Sequence, residues 1–301
     1  MGLFFELIYM KRINTLLFVA GMAYLTSCNS DDSTTPVNDD DNNEPFVREL
    51  TIPETGFESP ESYEGMQLVW QDEFDGSALN SDNWYHETGT GINGWGNNEL
   101  QYYRENNTSL VEGNLVIEAR REDFQGSLYT SSRIVTLNKQ EFQYGRIDIR
   151  AVLPETQGLW PALWMLGDDF ISVGWPRCGE IDIMEMVGGN GRENTVHGTV
   201  HWDNAGSYAN YGGSKTLSTG TFNDEYHVFS IIWDETEIRW LVDNEQYHVI
   251  DITPEELDEF QKEFFFIFNV AVGGNWPGSP DGSTVFPQWM VVDYVRVFQT
   301  N

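Results

Sequence analysis

Glu180, Asp182 and Glu185 fall within six residues, in the stretch GEIDIMEMVG at 179–188. Three carboxyls set this close cannot all ionise cheaply, because each negative charge raises the pKa of its neighbours. One protonated and one ionised carboxyl is the pairing that glycoside cleavage needs. The acid gives its proton to the leaving oxygen, and the anion attacks or stabilises the anomeric carbon. Asp182, between the two glutamates, would orient and tune them. A strict two-residue strand period, however, puts Glu180 and Asp182 on one face and carries Glu185 to the side of Ile181 and Ile183, where an unpartnered carboxylate is costly. One extra residue in the strand, a β-bulge near Met184, returns Glu185 to the face of the other acids. The two glutamate backbones then stand about 13 Å apart. Leaning inward, their carboxyls reach about 5 to 7 Å, which straddles the retaining and inverting spacings. A surface strand with three solvated acids has the same composition, so the decision rests on whether a groove lies over them.

The elements that must carry this ledge are short runs rich in Val, Ile, Phe, Tyr and Trp, separated by Gly, Asn, Asp or Pro clusters: MQLVW, NLVIEAR, YGRIDIRAVL, HVFSIIWD, EIRWLVD and EFFFIFNVAVGG among them. This spacing, without interleaved helical patterns, predicts an antiparallel sandwich or barrel built as one domain. The 301 residues are 40% hydrophobic and 14% aromatic, enough for a large core. Only TPEELDEF at 253–260 reads as helix, with Thr253 as cap and Pro254 at the first helical position. In RIDIRAV and EIDIM the aliphatic residues share one side while acids and arginine take the other, the pattern of a sheet face shaped to hold a ligand.

The formal charge of -32 excludes nucleic acid and anionic membrane surfaces as partners and favours a neutral substrate. No GxxxxGK(S/T) phosphate loop, GxSxG elbow or Cys/His cluster is present, so catalysis calls for no cofactor. Residues 1–27 read as a lipoprotein signal peptide with its start at Met10, ending in LTSC, where Cys28 is the lipidated residue. Residues 28–46 then form an acidic tether with too little apolar surface to order itself, and 47–301 form the catalytic domain. This organisation predicts an exported monomer on the bacterial outer membrane or cell surface, touching the membrane through its lipid alone. Cys178 is the only other cysteine and reads as a packed small hydrophobe.

WPRCGEIDIMEMVG, together with GWGNNELQYY at 94–103, SSRIVT at 131–136, GLWPALWML at 158–166, HGTVHW at 197–202 and NVAVGGNWPG at 269–278, resembles glycoside hydrolase family 16, in its laminarinase-like endo-β-1,3(4)-glucanase branch. The resemblance runs from about Leu68 to Phe298. It implies an all-β two-sheet jelly roll of concanavalin A-like type, with a substrate cleft on the concave sheet and a retaining double displacement. By position, Glu180 would be the nucleophile, Glu185 the general acid and base, and Asp182 their hydrogen-bonding helper. The residue between Asp182 and Glu185 resembles the bulged laminarinase and agarase type, a feature that lichenases lack. The implied substrate is laminarin or mixed-linkage β-glucan. A non-catalytic glycan-binding lipoprotein, or an agarase or transglycosylase, would use the same scaffold.

Glucose rings are gripped by aromatic faces and read by polar side chains, and the chain has 11 tryptophans. Trp160 and Trp164 match family positions that line the cleft. Trp95, Asn98 and Glu99 sit on a Gly- and Asn-rich loop that reads as a cleft wall, and Trp276 of GGNWPG is a fourth aromatic contact. Arg133 matches a position that hydrogen-bonds sugar hydroxyls. His201 reads as a cleft residue; strand geometry holds it about 13 Å from His197, which rules out a shared metal. The resemblance also implies a structural calcium on the convex face, held by Glu73, Gly113 and Asp293.

Overall fold

The alternating runs become two open antiparallel sheets packed face to face, as the sandwich reading expects. The computed structural model describes residues 48–300; the signal, Cys28 and the whole tether lie outside the described residues. One sheet runs in the order Ser207–Thr216, Thr195–Asn204, Glu180–Glu185, Leu159–Gly167, Phe264–Val272, Arg133–Val135 and Tyr85–His86. The other runs Glu245–Asp251, Glu237–Val242, His227–Trp233, Gly145–Val152, Gln288–Thr300, Asn114–Ala119 and Thr108–Val111. Met66–Asp72 adds to the second sheet by pairing with Gln288–Thr300. Between them lies a continuous core, in which Leu163, Met165, Ile181, Ile183, Met184 and Val200 of the first sheet meet Ile147, Ile149, Trp240, Val292 and Val295 of the second. All of these residues are at most 2% exposed, so the sandwich is closed by hydrophobic burial; Cys178, the one cysteine among the described residues, is free and buried.

The strand Glu180–Glu185 contains the bulge that its sequence requires. Against Leu159–Gly167, Trp164 faces Asp182 but Leu163 faces Met184, a slip of one residue. Ile183 and Met184 therefore both enter the core, at 2% and 0% exposure, and Glu185 emerges on the same side as Glu180 and Asp182.

Two expectations are corrected. The polar side of RIDIRAV does not face a ligand groove, because Gly145–Val152 belongs to the other sheet. Its Asp148 is fully buried and accepts hydrogen bonds from Arg146 at 2.8 Å, Ser230 at 2.6 Å and Tyr63 at 2.7 Å. The segment just before the first strand lies over this face, with Ser59 tied to the Tyr294 hydroxyl and the Phe57 carbonyl accepting from Arg150. A buried acid with three donors is satisfied structurally and has no vacancy for a ligand. The stretch 253–260 forms a 3-10 helix over Glu255–Phe260, and Thr253 hydrogen-bonds Asp251 rather than capping it. Leu257 and Phe260, three apart, are both buried, the spacing that a three-residue turn stacks on one side.

Candidate active site

A cleft of about 1140 Å³ crosses the first sheet, and all three acids line it. Every second residue of Leu159–Gly167 faces this space: Trp160, Ala162, Trp164 and Leu166 line the cleft, while Leu159, Leu163 and Met165 point into the core. The floor spans six strands, from Arg133 through Asn269, Trp164 and Asp182 to Thr199 and Asn210. At about 4.8 Å per strand the groove is about 24 Å wide, room for several linked sugar rings.

Glu180 and Glu185 stand at the two ends of the ledge, with Asp182, 2% exposed, beneath them. His201 Nε2 lies 2.9 Å from Asp182 Oδ2 and 3.5 Å from Glu180 Oε1, while its Nδ1 meets the Tyr208 hydroxyl at 2.7 Å. Trp160 donates its indole N–H to Glu185 Oε1 at 2.9 Å. Burial, then the charge of Asp182, pushes the Glu180 carboxyl up to about 8, against the pull of His201. The same two causes push Glu185 up to about 8, against His201 and the Trp160 N–H, and burial does so for Asp182. The ledge therefore retains protons at neutral pH and titrates as one unit. The imidazole lies against Asp182 and Glu180 and favours the charged form of both glutamates, and the Trp160 N–H adds the same pull on Glu185. Glu180, Asp182 and His201 offer three ligand atoms within 4.8 Å of one another. His201 instead bridges the two acids as a hydrogen-bonding group. His201 pairs with Glu180 and His197 with Glu185, at opposite ends of the ledge, and His197 lies against Trp276 at 5.1 Å between ring centres.

The predicted walls form with one exchange. Trp95 and Trp164 sandwich the guanidinium of Arg133 at 4.7 and 4.9 Å, and its Nε is held by Glu87 at 2.5 Å. Glu99 lines the cleft and accepts from Asn97, Gln101 and Tyr103; burial raises its pKa. Trp276 stands edge-on to Trp160 at 5.4 Å. Asn98, however, turns to solvent and donates to Asn275 at 2.9 Å, and Asn97 lines the cleft in its place. Trp95 and Asn98 both have left-handed backbone, so strand alternation gives no guide to which asparagine faces inward.

Trp175, Tyr208 and Asn210 also line the cleft and were not singled out in the sequence. Trp175 and Tyr208 pack at 5.2 Å, and Tyr208 stacks on His201 at 5.7 Å. The signal for Trp175 was its place five residues before Glu180; for Tyr208 and Asn210 it was their spacing of two in an edge strand. Cys178 is fully buried and its thiol is pushed up to about 12 by burial, which makes it a packing residue.

On the other sheet, both nitrogens of the Arg296 fork hold Glu73, at 2.7 and 2.8 Å, and Arg150 holds Asp293 at 2.7 Å. Gly113 lies in the turn between Thr108–Val111 and Asn114–Ala119. As these side chains stand, guanidinium groups meet the charge that a calcium ion would neutralise, so the donor set does not fit the ion without rearrangement.

Removing the Trp160 N–H tests the electrostatics directly. The bond stabilises the charged form of Glu185, so Trp160→Phe is expected to raise that carboxyl's pKa and move the alkaline limb of kcat/KM upward by about half a pH unit or more. A pH profile of initial rates reads this shift.

Residues 92–295 match glycosyl hydrolases family 16. The chain is 43% identical over 247 residues to the beta-glucanase of Rhodothermus marinus, covering 77% of this chain and 85% of that one. It is 41% identical over 236 residues to the clotting factor G alpha subunit of Tachypleus tridentatus, covering 77% of this chain but 34% of that protein, so it spans about a third of that relative's length. The crystal structure of the laminarinase catalytic domain from Thermotoga maritima superposes with a TM-score of 0.72 at 46% identity, over 79% of this chain and all of that one. With an acid ledge, an aromatic groove and a sandwich fold all in agreement with these likenesses, the chain belongs to glycosyl hydrolases family 16.

Proposed function

We propose that the protein is an endo-acting, retaining β-glucanase that hydrolyses internal β-1,3 bonds, or β-1,4 bonds next to β-1,3 ones, in laminarin or mixed-linkage β-glucan. The observation that carries this reading is the bulge that returns Glu185 to the cleft face of Glu180 beneath a tryptophan-lined groove. The similar beta-glucanase of Rhodothermus marinus and laminarinase of Thermotoga maritima support the same substrate class. A groove that crosses six strands lets a long chain lie across the acids, which suits cleavage at internal bonds.

In the first step Glu185 gives its proton to the glycosidic oxygen while a Glu180 oxygen bonds to the anomeric carbon and the leaving chain departs. Glu185, now ionised, takes a proton from water, whose oxygen displaces Glu180 and restores the original anomeric configuration. His201 favours the ionised form of Glu180, against the charge of Asp182, which holds the imidazole in place. Trp160, Trp164, Trp175 and Trp276 supply ring faces, and Arg133, Glu99 and Asn97 supply hydroxyl contacts. Parallel digestion of laminarin, lichenan, barley β-glucan and agarose, with product linkages read out, tests the assignment. Release of mixed oligosaccharides from laminarin is expected, and laminarin left intact would remove the proposal.

Catalysis itself draws on no metal. A calcium ion at Glu73, Gly113 and Asp293 would have to displace Arg296 and Arg150, and these residues lie in or next to strands of the sheet that does not carry the cleft. Chelator is therefore expected to leave kcat unchanged within about twofold. Any calcium effect should appear in the melting temperature instead, and paired rate and melting measurements separate the two. The surface anchor is proposed on Cys28: labelled palmitate should enter the exported protein and fail to enter Cys28→Ala.

A further inference from the structure

The bulge that aims Glu185 has a support on the opposite sheet. Along the Thr195–Asn204 strand, Asp182 pairs with Thr199 and Glu185 with His197, so Ile183 and Met184 together oppose Gly198. The regular ladder is interrupted here. The carbonyl of Asp182 accepts the indole N–H of Trp240 instead, at 2.8 Å. Trp240 is fully buried on Glu237–Val242 of the other sheet, so this bond crosses the core of the sandwich. The ring has room because residue 198 is glycine. A β-carbon there would stand 2.3 Å from Trp240 Cδ1 and 2.7 Å from its Nε1.

We propose that Trp240, seated in the gap at Gly198, is a positioning residue that holds the bulge and thereby the aim of Glu185, without touching the substrate. Glu180 and Asp182 precede the bulge and keep their register with His201 and Thr199. Glu185 follows it and depends on the extra residue staying where it is. Without the N–H, the Asp182 carbonyl is a buried acceptor lacking its partner. The strand can recover ladder bonds by shifting the bulge, and any such shift re-aims Glu185 while sparing Glu180. The defect should therefore be confined to the proton-transfer half of the site.

This inference rests on the assignment of Glu185 as acid and base, and the test keeps the two apart. In Trp240→Phe, which retains a ring but no donor, kcat on laminarin is expected to fall about tenfold or more with KM within about twofold. Glycosyl-enzyme formation from a dinitrophenyl β-laminaribioside, whose leaving group needs no proton, should stay within about threefold of the parent, and azide should restore turnover. Trp233→Phe is the control: Trp233 is equally buried and donates to the Phe260 carbonyl at 3.1 Å, away from the bulge. It should lose melting temperature without splitting the two substrates. Gly198→Ala, which crowds the indole from the other side, should reproduce the split and decides by the same criterion where Trp240→Phe does not fold. Equal losses on both substrates, or no loss beyond that of Trp233→Phe, would overturn the proposal. If Glu185→Ala itself shows no split, the assignment of Glu185 fails rather than the wedge.

Discussion

Glu180→Gln is expected to lower laminarin hydrolysis by about 10⁴-fold or more while oligosaccharide affinity stays within about threefold. Glutamine keeps the shape of the side chain and its approach to His201, but its amide cannot form the ester with the anomeric carbon. The binding surfaces lie on other residues, with Trp160 and Trp164 on the adjacent strand and Arg133 further across the sheet, so the groove survives the change. Isothermal titration with a laminari-oligosaccharide, beside a reducing-sugar assay, reads both quantities on one preparation. The experiment also separates an enzyme from a glycan binder built on the same sandwich. A binder has no reaction to lose, and a variant that digests laminarin at the parental rate would place the chemistry elsewhere.

The carboxyl ledge was legible in the sequence because burying Glu185 beside Ile181 and Ile183 is costly enough to force an irregularity, and one inserted residue is the smallest that works. The inward pair Trp160 and Trp164 was legible in part from spacing: residues four apart share a strand face, although which face needed the resemblance. Other features depend on contacts that a local pattern cannot carry. Asp148 sits in the same acid-bearing pattern as Asp182, yet a preceding segment with Tyr63 covers it. Asn97 and Asn98 are adjacent in a turn with left-handed residues, where two-residue alternation has no meaning. Trp240 reaches the catalytic strand across the core from 58 residues away. Its partner is a backbone carbonyl, which no residue type announces.

Across the ledge, hydrogen bonding assigns different roles to groups with similar burial. Asp182 and Glu180 face an imidazole whose other nitrogen is engaged by Tyr208, and Glu185 faces an indole N–H at the far end. Burial and the mutual charge of the three acids raise all their carboxyls and couple their titration, while the two glutamates meet different partners. Glu99, buried and raised in the nearby wall, accepts from three side chains and lies outside this exchange.

Glu185→Ala should therefore fail differently from Glu180→Gln. Removing the proton donor is expected to lower laminarin hydrolysis by about 10³-fold, because an unactivated sugar cannot leave unaided. Glycosyl-enzyme formation from a dinitrophenyl glycoside should persist, since that leaving group departs as a stable anion. The intermediate then accumulates, because no base remains to activate water. Azide needs no base and fits the space left by the side chain, so it should restore turnover and yield a β-glucosyl azide. The β configuration follows from two inversions, one by Glu180 and one by azide. An α-azide, or rescue in Glu180→Gln instead, would reverse the roles of the two glutamates or exclude the double displacement, and nuclear magnetic resonance of the isolated product distinguishes these cases.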